Sequence, residues 1–209
     1  LAFHDNTSAF VSRQLIQRLV TDNPSPAYVY RVAEVFRREK DNSAQLSLVV
    51  RAILTDYEAR SPAVIDDPGY GKLREPLLRF TAILRNFNAT SASGRNNQDN
   101  VQGSLAQAPL RAQSVFNFFE PGYVFPGPLA AAGLVAPEFR ITDDTTAISV
   151  PNFLRAAIFA AAGTGVNAAK VLVPDYTAEL ALVSNVPALL DRLNLLMAAG
   201  QLSTATRNR

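Results

Sequence analysis

Cysteine is absent from the 209 residues. That removes disulfides, thiolate zinc sites and cysteine nucleophiles, and decides nothing about redox compartment. Histidine is nearly absent too. His4 is the only imidazole, so a Ser-His-Asp hydrolase would depend on it together with Ser114 or Ser149, and neither serine sits in a Gly-x-Ser-x-Gly turn. Any metal would need oxygen ligands, yet Asp66-Asp67 and Asp143-Asp144 lack the spacing of a calcium loop. The first pair reads as turn chemistry and the second as helix capping, so no metal or cofactor is expected. Charge is also sparse: Asp, Glu, Lys and Arg make up 18% of the chain, with a net charge of +2. The basic residues Arg31, Arg37, Arg38 and Lys40 are interrupted by Glu34 and Glu39, too narrow a positive face for nucleic acid. No run nears the ~20 apolar residues that cross a bilayer; Leu129–Ala136 and Ala156–Ala162 are the richest windows. No period-two alternation and no internal repeat is found.

What is present is helical periodicity. Residues 7–20 predict an amphipathic helix with Asn6 or Thr7 as cap, Phe10, Val11, Leu15, Ile16 and Leu19 on one face, and Arg13, Gln14, Gln17 and Arg18 opposite. The turn from Asp22 to Pro26 ends it and opens a second helix, with Ser25 as cap and Pro26 at its first position. Val29, Val32 and Phe36 line that helix. A third runs through Leu46, Val49, Val50, Ile53, Leu54 and Tyr57. Short loops make these three a small antiparallel bundle. A fourth helix carries Leu73, Leu77, Phe80, Leu84 and Phe87 at spacings of four, three, four and three. Further on, Thr142–Thr145 opens a long helix that Pro151 kinks or splits. Pro187–Ala199 forms the last full helix, with Leu189, Leu193 and Leu196 inward and Gly200 as its stop. Ser203 would cap one more. The expected fold class is all-α, with an N-terminal helical unit over residues 1–87, a polar flexible loop over 88–104 and a C-terminal helical unit over 105–209, together one compact domain.

One stretch does not follow this pattern. Gln107–Gly127 holds four Phe, one Tyr, three Pro and two Gly at irregular spacing. A segment so apolar must be pinned against the fold, and it reads as packing between the two helical units.

Several segments together resemble the bacterial family known as domain of unknown function 1800. They are Phe10–Val20 (FVSRQLIQRLV), Val49–Leu54 (VVRAIL), Gly71–Arg79 (GKLREPLLR), Gln107–Tyr123, Gly133–Phe139 (GLVAPEF) and Leu193–Gly200 (LNLLMAAG). They follow in order along nearly the whole chain. The chain opens on Leu1 with neither Met nor a signal-like segment, and is expected to be the C-terminal part of something longer. The resemblance implies an exported bacterial protein, periplasmic or secreted. It also implies a protein partner that resembles the alkaline-phosphatase superfamily, encoded beside it. It carries no catalytic residues across.

Two sets of residues are candidates for binding. Lys72 and Arg74, at a helix start, could clamp an anion; the competing reading has Glu75 pairing with Arg79 and Arg74 holding the neighbouring loop. Gln107, Arg111, Ser114 and Asn117 punctuate the aromatic stretch. They could face a glycan or partner groove floored by Phe116, Phe118, Phe119 and Tyr123, or simply satisfy an irregular backbone. Two functions follow. The first is a non-catalytic binding or assembly module acting with a partner. The second is a hydrolase of polysaccharide or ester substrates using a carboxylate pair, with Glu75 and Glu138 the first to test.

Overall fold

The computed structural model describes residues 4–96, 98, 101–115, 117–159 and 168–208. Its α-helices are α1 (Thr7–Leu19), α2 (Pro26–Arg38), α3 (Gln45–Thr55), α4 (Tyr57–Arg60), α5 (Pro76–Asn86), α6 (Gln102–Leu105), α7 (Pro128–Ala131), α8 (Thr146–Phe159), α9 (Thr177–Leu180), α10 (Val186–Ala198) and α11 (Thr204–Arg207). The described residues contain no strand, only the isolated bridges Thr90–Val173 and Ser114–Asn117. The fold is all-α. The chain forms two compact units, each drawn from two separate stretches: Leu1–Leu73 with Gln113–Ile141, and Arg74–Ala112 with Thr142–Arg209.

In the first unit α1, α2 and α3 pack on one another around Ile16, Tyr28, Val32, Val49 and Ile53. Ser25 starts α2 as expected, its hydroxyl accepting from the Tyr28 N–H at 3.1 Å with Pro26 following. The buried Tyr28 hydroxyl donates to the Ile53 carbonyl at 2.7 Å, tying α2 to α3. The face of α1 differs from expectation. Ser8, Ser12 and Ile16, spaced four apart, are buried with Gln17, while Phe10 is 66% and Leu19 45% exposed. Ser8 accepts from Arg37 of α2 at 3.0 Å, and the Gln17 amide donates to the Asp22 and Pro121 carbonyls at 2.9 and 3.4 Å. The third helix is also shorter than expected. Asp56 takes an extended backbone and accepts from the Glu58 N–H at 2.9 Å, ending α3 and opening α4. Arg31 then holds Asp56 with two 2.7 Å hydrogen bonds, its guanidinium 4.4 Å from the Tyr57 ring centre.

The second unit is built on apolar contact. Phe80, Val101, Leu105, Ala108, Val150, Ala157 and Leu172 form its core, with Leu77 and Leu84 of the expected α5 stripe packed alongside. Phe80 meets Phe153 edge-on at 5.0 Å. Within the polar 88–104 stretch, Thr90 pairs with Val173 and Val101 is fully buried, while residues 97, 99 and 100 lie outside the described ones. Helix α8 runs through Pro151 without splitting; the ring removes one ladder donor, and its fixed φ suits the helix. Asp143 caps α8 by accepting from the N–H groups of Thr145 and Thr146 at 2.9 and 2.8 Å. After α10 the chain takes a left-handed backbone at Ala199 and Gly200, and Ser203 caps α11 as expected.

Candidate functional site

The first unit buries a charged cluster where three segments meet. Helix α1 ends at Leu19, and Thr21 and Asp22 then turn against Gly71. The Asp22 N–H donates to the Gly71 carbonyl at 3.0 Å, while the Thr21 hydroxyl donates to that carbonyl at 3.1 Å and accepts from the Gly71 N–H at 2.9 Å. Gly71 holds φ +118°, a backbone state that side chains disfavour. The next residue, Lys72, points inward. Its ammonium donates to the carbonyls of Gln17 and Arg18 at 2.8 and 3.3 Å and stands 2.6 Å from Glu138 Oε1. Glu138 comes from the 3-10 turn Pro137–Ile141, is 1% exposed, and has Arg18 at 3.8 Å. A reciprocal pair anchors the incoming segment: Asn23 donates to the Val135 carbonyl at 2.9 Å and accepts from its N–H at 3.0 Å.

Asp22 is 3% exposed and faces this cluster. Burial raises its affinity for a proton most. The Glu138 charge and hydrogen bonding to Glu138 raise it further, against the lowering pull of Lys72 and Arg18, and the outcome is a pKa pushed up to about 8. At neutral pH Asp22 therefore keeps its proton. Removing two carboxyls from water is costly, and the Asp22 proton and the Lys72 ammonium offset part of that cost. Asp22 and Lys72 border a cleft of about 180 Å³ walled by Tyr70, Leu129, Leu134 and Phe139.

The aromatic strip is divided between interior and surface. Phe119 is 3% exposed beneath the Arg18 guanidinium, 4.4 Å from its ring centre. Phe118 and Tyr123 are half-buried, and Arg140 lies 5.6 Å from the Tyr123 ring centre. Phe116 lies outside the described residues. Asn117 takes a left-handed backbone, φ 68°, closing a turn in which its N–H donates to the Ser114 carbonyl at 3.1 Å. That turn pushes Val115 out to 93% exposure. Between the strip and α1 runs a groove of about 360 Å³ bounded by Phe10, Leu15, Val115 and Pro121, with Gln14, Arg18 and Asn117 supplying its polar groups.

Arg74, Glu75, Gln107 and Arg111 lie in the second unit. Gln107 is 1% exposed; its amide donates to Glu75 Oε2 at 2.8 Å and accepts from the Leu77 N–H at 3.2 Å, satisfying the first turn of α5. Glu75 thus meets Gln107. Arg79, its expected partner, donates to the Arg74 carbonyl at 2.7 Å. The side chains of Arg74 and Arg111 are exposed. Asp67 acts in a turn, accepting from the Gly69 N–H at 2.8 Å.

The structure therefore brings Lys72 and Glu138 together and adds Asp22 and Arg18, which sequence reasoning passed over. Asp22 was legible only as part of a turn, and Arg18 as the outer face of α1. No short-range spacing links either one to Glu138. No curated protein and no solved structure matches the chain. A family model described as protein of unknown function (DUF1800) matches residues 1–209, and the chain belongs to that family.

Proposed function

We propose that this is a binding or assembly module, exported by a bacterium, that docks a partner protein without catalysing a reaction. The observation that carries the reading is the groove between α1 and the aromatic strip. Phe10 and Val115, 66% and 93% exposed, stand on its edges. Apolar side chains gathered around a concave surface gain by being covered, and polar groups at the same place orient what covers them. The partner in view is the neighbouring protein that resembles the alkaline-phosphatase superfamily, with a glycan as the other candidate occupant. A photo-crosslinking residue at position 115 of the full-length protein tests this. Crosslinks to the co-produced partner that disappear with Phe10→Asp support the reading. Unchanged association of Phe10→Asp and Val115→Asp with that partner overturns it.

A hydrolase is the second reading, favoured by Asp22, which keeps its proton at neutral pH facing Glu138 beside the smaller cleft. In that reading Asp22 stands where Glu75 was expected. Turnover of nitrophenyl esters or glycosides that is lost in Asp22→Asn would support it.

A further inference from the structure

A pocket of about 560 Å³ opens in the second unit at the C-terminal end of α5, and it shares no residue with the docking groove. Leu84 and Leu172 are its more buried walls, while Arg85, Asn88, Thr90 and Asn96 are exposed along it. An arginine in the last turn of a helix commonly serves the closing carbonyls. Here backbone donors already serve them. The carbonyl of Ile83 accepts from the Phe87 N–H at 3.1 Å, that of Leu84 from Ala89 at 2.8 Å, that of Arg85 from Asn88 at 3.3 Å, and that of Phe87 from Asp175 at 2.7 Å. Among the described residues, the side chains of Arg85, Asn88, Thr90 and Asn96 make no hydrogen bond or ion pair. The backbone that carries them is nevertheless fixed. Asn88 takes a left-handed conformation, φ 43°, and Thr90 exchanges backbone hydrogen bonds of 3.1 and 2.8 Å with Val173. Ser93 ties down the loop before Asn96, its N–H and hydroxyl donating to the Ala169 carbonyl at 3.0 and 2.7 Å. Unspent polar groups on a held frame around an apolar surface are the make-up of a small-molecule site, and the volume falls in the usual range of about 300–1,000 Å³.

We propose that this pocket binds a sugar acid, such as a hexuronate unit of an acidic glycan, with its carboxylate on Arg85 and its hydroxyls on Asn88, Thr90 and Asn96. Charge sets the sign of the ligand. Of the described residues that line the pocket, Arg85 is the only charged one, and its planar fork matches a carboxylate with two parallel hydrogen bonds. A cationic ligand would meet that guanidinium with nothing to offset it. The other groups set the rest of the ligand. Each amide offers two donors and a carbonyl acceptor, and the threonine hydroxyl both gives and accepts. A sugar hydroxyl also does both, so it uses all of these. A phosphate brings a charge of about −1.5 to −2 to a single cation and leaves the amide acceptors unused. The C–H face of a sugar ring suits Leu84 and Leu172. The site is separate from the groove and does not depend on what fills it.

Four probes test the inference on the full-length protein: glucuronate, glucose, glucosamine and inorganic phosphate, titrated at pH 7 while backbone amide shifts are followed by NMR. Glucuronate should move the amides of Asn88, Ala89, Thr90 and Leu172 with a Kd of about 1–10 mM. Glucose should bind about tenfold more weakly for want of the carboxylate, glucosamine more weakly still, and phosphate more weakly than glucuronate. Arg85→Ala sits at an exposed helix position that alanine suits; it should cost glucuronate about tenfold or more and bring its affinity down to that of glucose. Arg85→Lys keeps the charge without the fork and should fall between the two. Asn88→Gly relaxes the left-handed backbone, so the fold is kept, and removing the amide should weaken glucuronate by about three- to tenfold. Phe10→Asp, made to break the docking groove, should bind glucuronate as the wild type does. Absence of shifts with glucuronate, equal or tighter binding of glucose or phosphate, or unchanged glucuronate affinity in Arg85→Ala would each overturn the inference.

Discussion

The two units solve the same problem, burying a helical chain, with different materials. The second is apolar at its centre, where Phe80 and Phe153 meet and Val101 and Leu105 are fully enclosed. Of its buried polar side chains, Gln107 serves a helix start, Asn194 accepts from the Leu202 N–H, and Glu179 pairs with Arg192. The first unit has an apolar bundle as well, and also encloses Asp22, Glu138 and Lys72. An apolar core tolerates gradual change, because each lost methylene costs its own transfer and cavity energy. A charged core is balanced as a set, so losing one member exposes the others to the full penalty of burial. The difference separates scaffold from candidate site.

Removing single members should expose that contrast. Lys72→Met takes the ammonium from Glu138 and should cost about 3–5 kcal/mol in urea unfolding. Adding Glu138→Gln should return part of it, because the stranded charge is gone; a double variant no better than the single would break the comparison. In the second unit Phe80→Ala should cost about 3–5 kcal/mol, with no second substitution able to restore it by neutralising a charge.

The pH response comes next in size. In the folded state Asp22 keeps its proton up to about 8, while in the unfolded chain it releases it near 3.8. Between those values the native state binds more protons, so stability falls as pH rises from about 4 to about 8, by at most about 1.4 kcal/mol per pH unit, and then levels off. Asp143 works in the opposite sense. The N–H groups of Thr146 and Thr145 hold it below its ordinary value, so its contribution is present at neutral pH and lost only under strong acid. Urea midpoints measured from pH 4 to 9 should show the decline in the wild type and a flatter line in Asp22→Asn. Smallest is Gln107→Leu, which strands the Leu77 N–H and should cost about 1–3 kcal/mol in thermal unfolding, without altering the pH response.

The same contrast explains what could be read in advance. The α5 stripe, the Ser25–Pro26 start of α2 and the Asp143 and Ser203 caps were legible because each depends on residues within one or two turns. Helix α1 was read in part: Ile16 and Leu15 of the expected apolar stripe pack on the core, but Ser8, Ser12 and Gln17 are buried too, and Phe10 of that stripe stands beside the groove. The pairing of Asp22 with Glu138 left no local trace. It exists only because the segment after Val135 returns to the end of α1, held there by Asn23. Lys72 was singled out for its charge at a helix start; its inward direction comes from the two α1 carbonyls that receive it.

The acid pair itself can be watched directly. With aspartate carboxyl carbons labelled, an NMR titration should show Asp22 losing its proton with a midpoint near 8. Full ionisation of Asp22 below pH 5 would contradict the account.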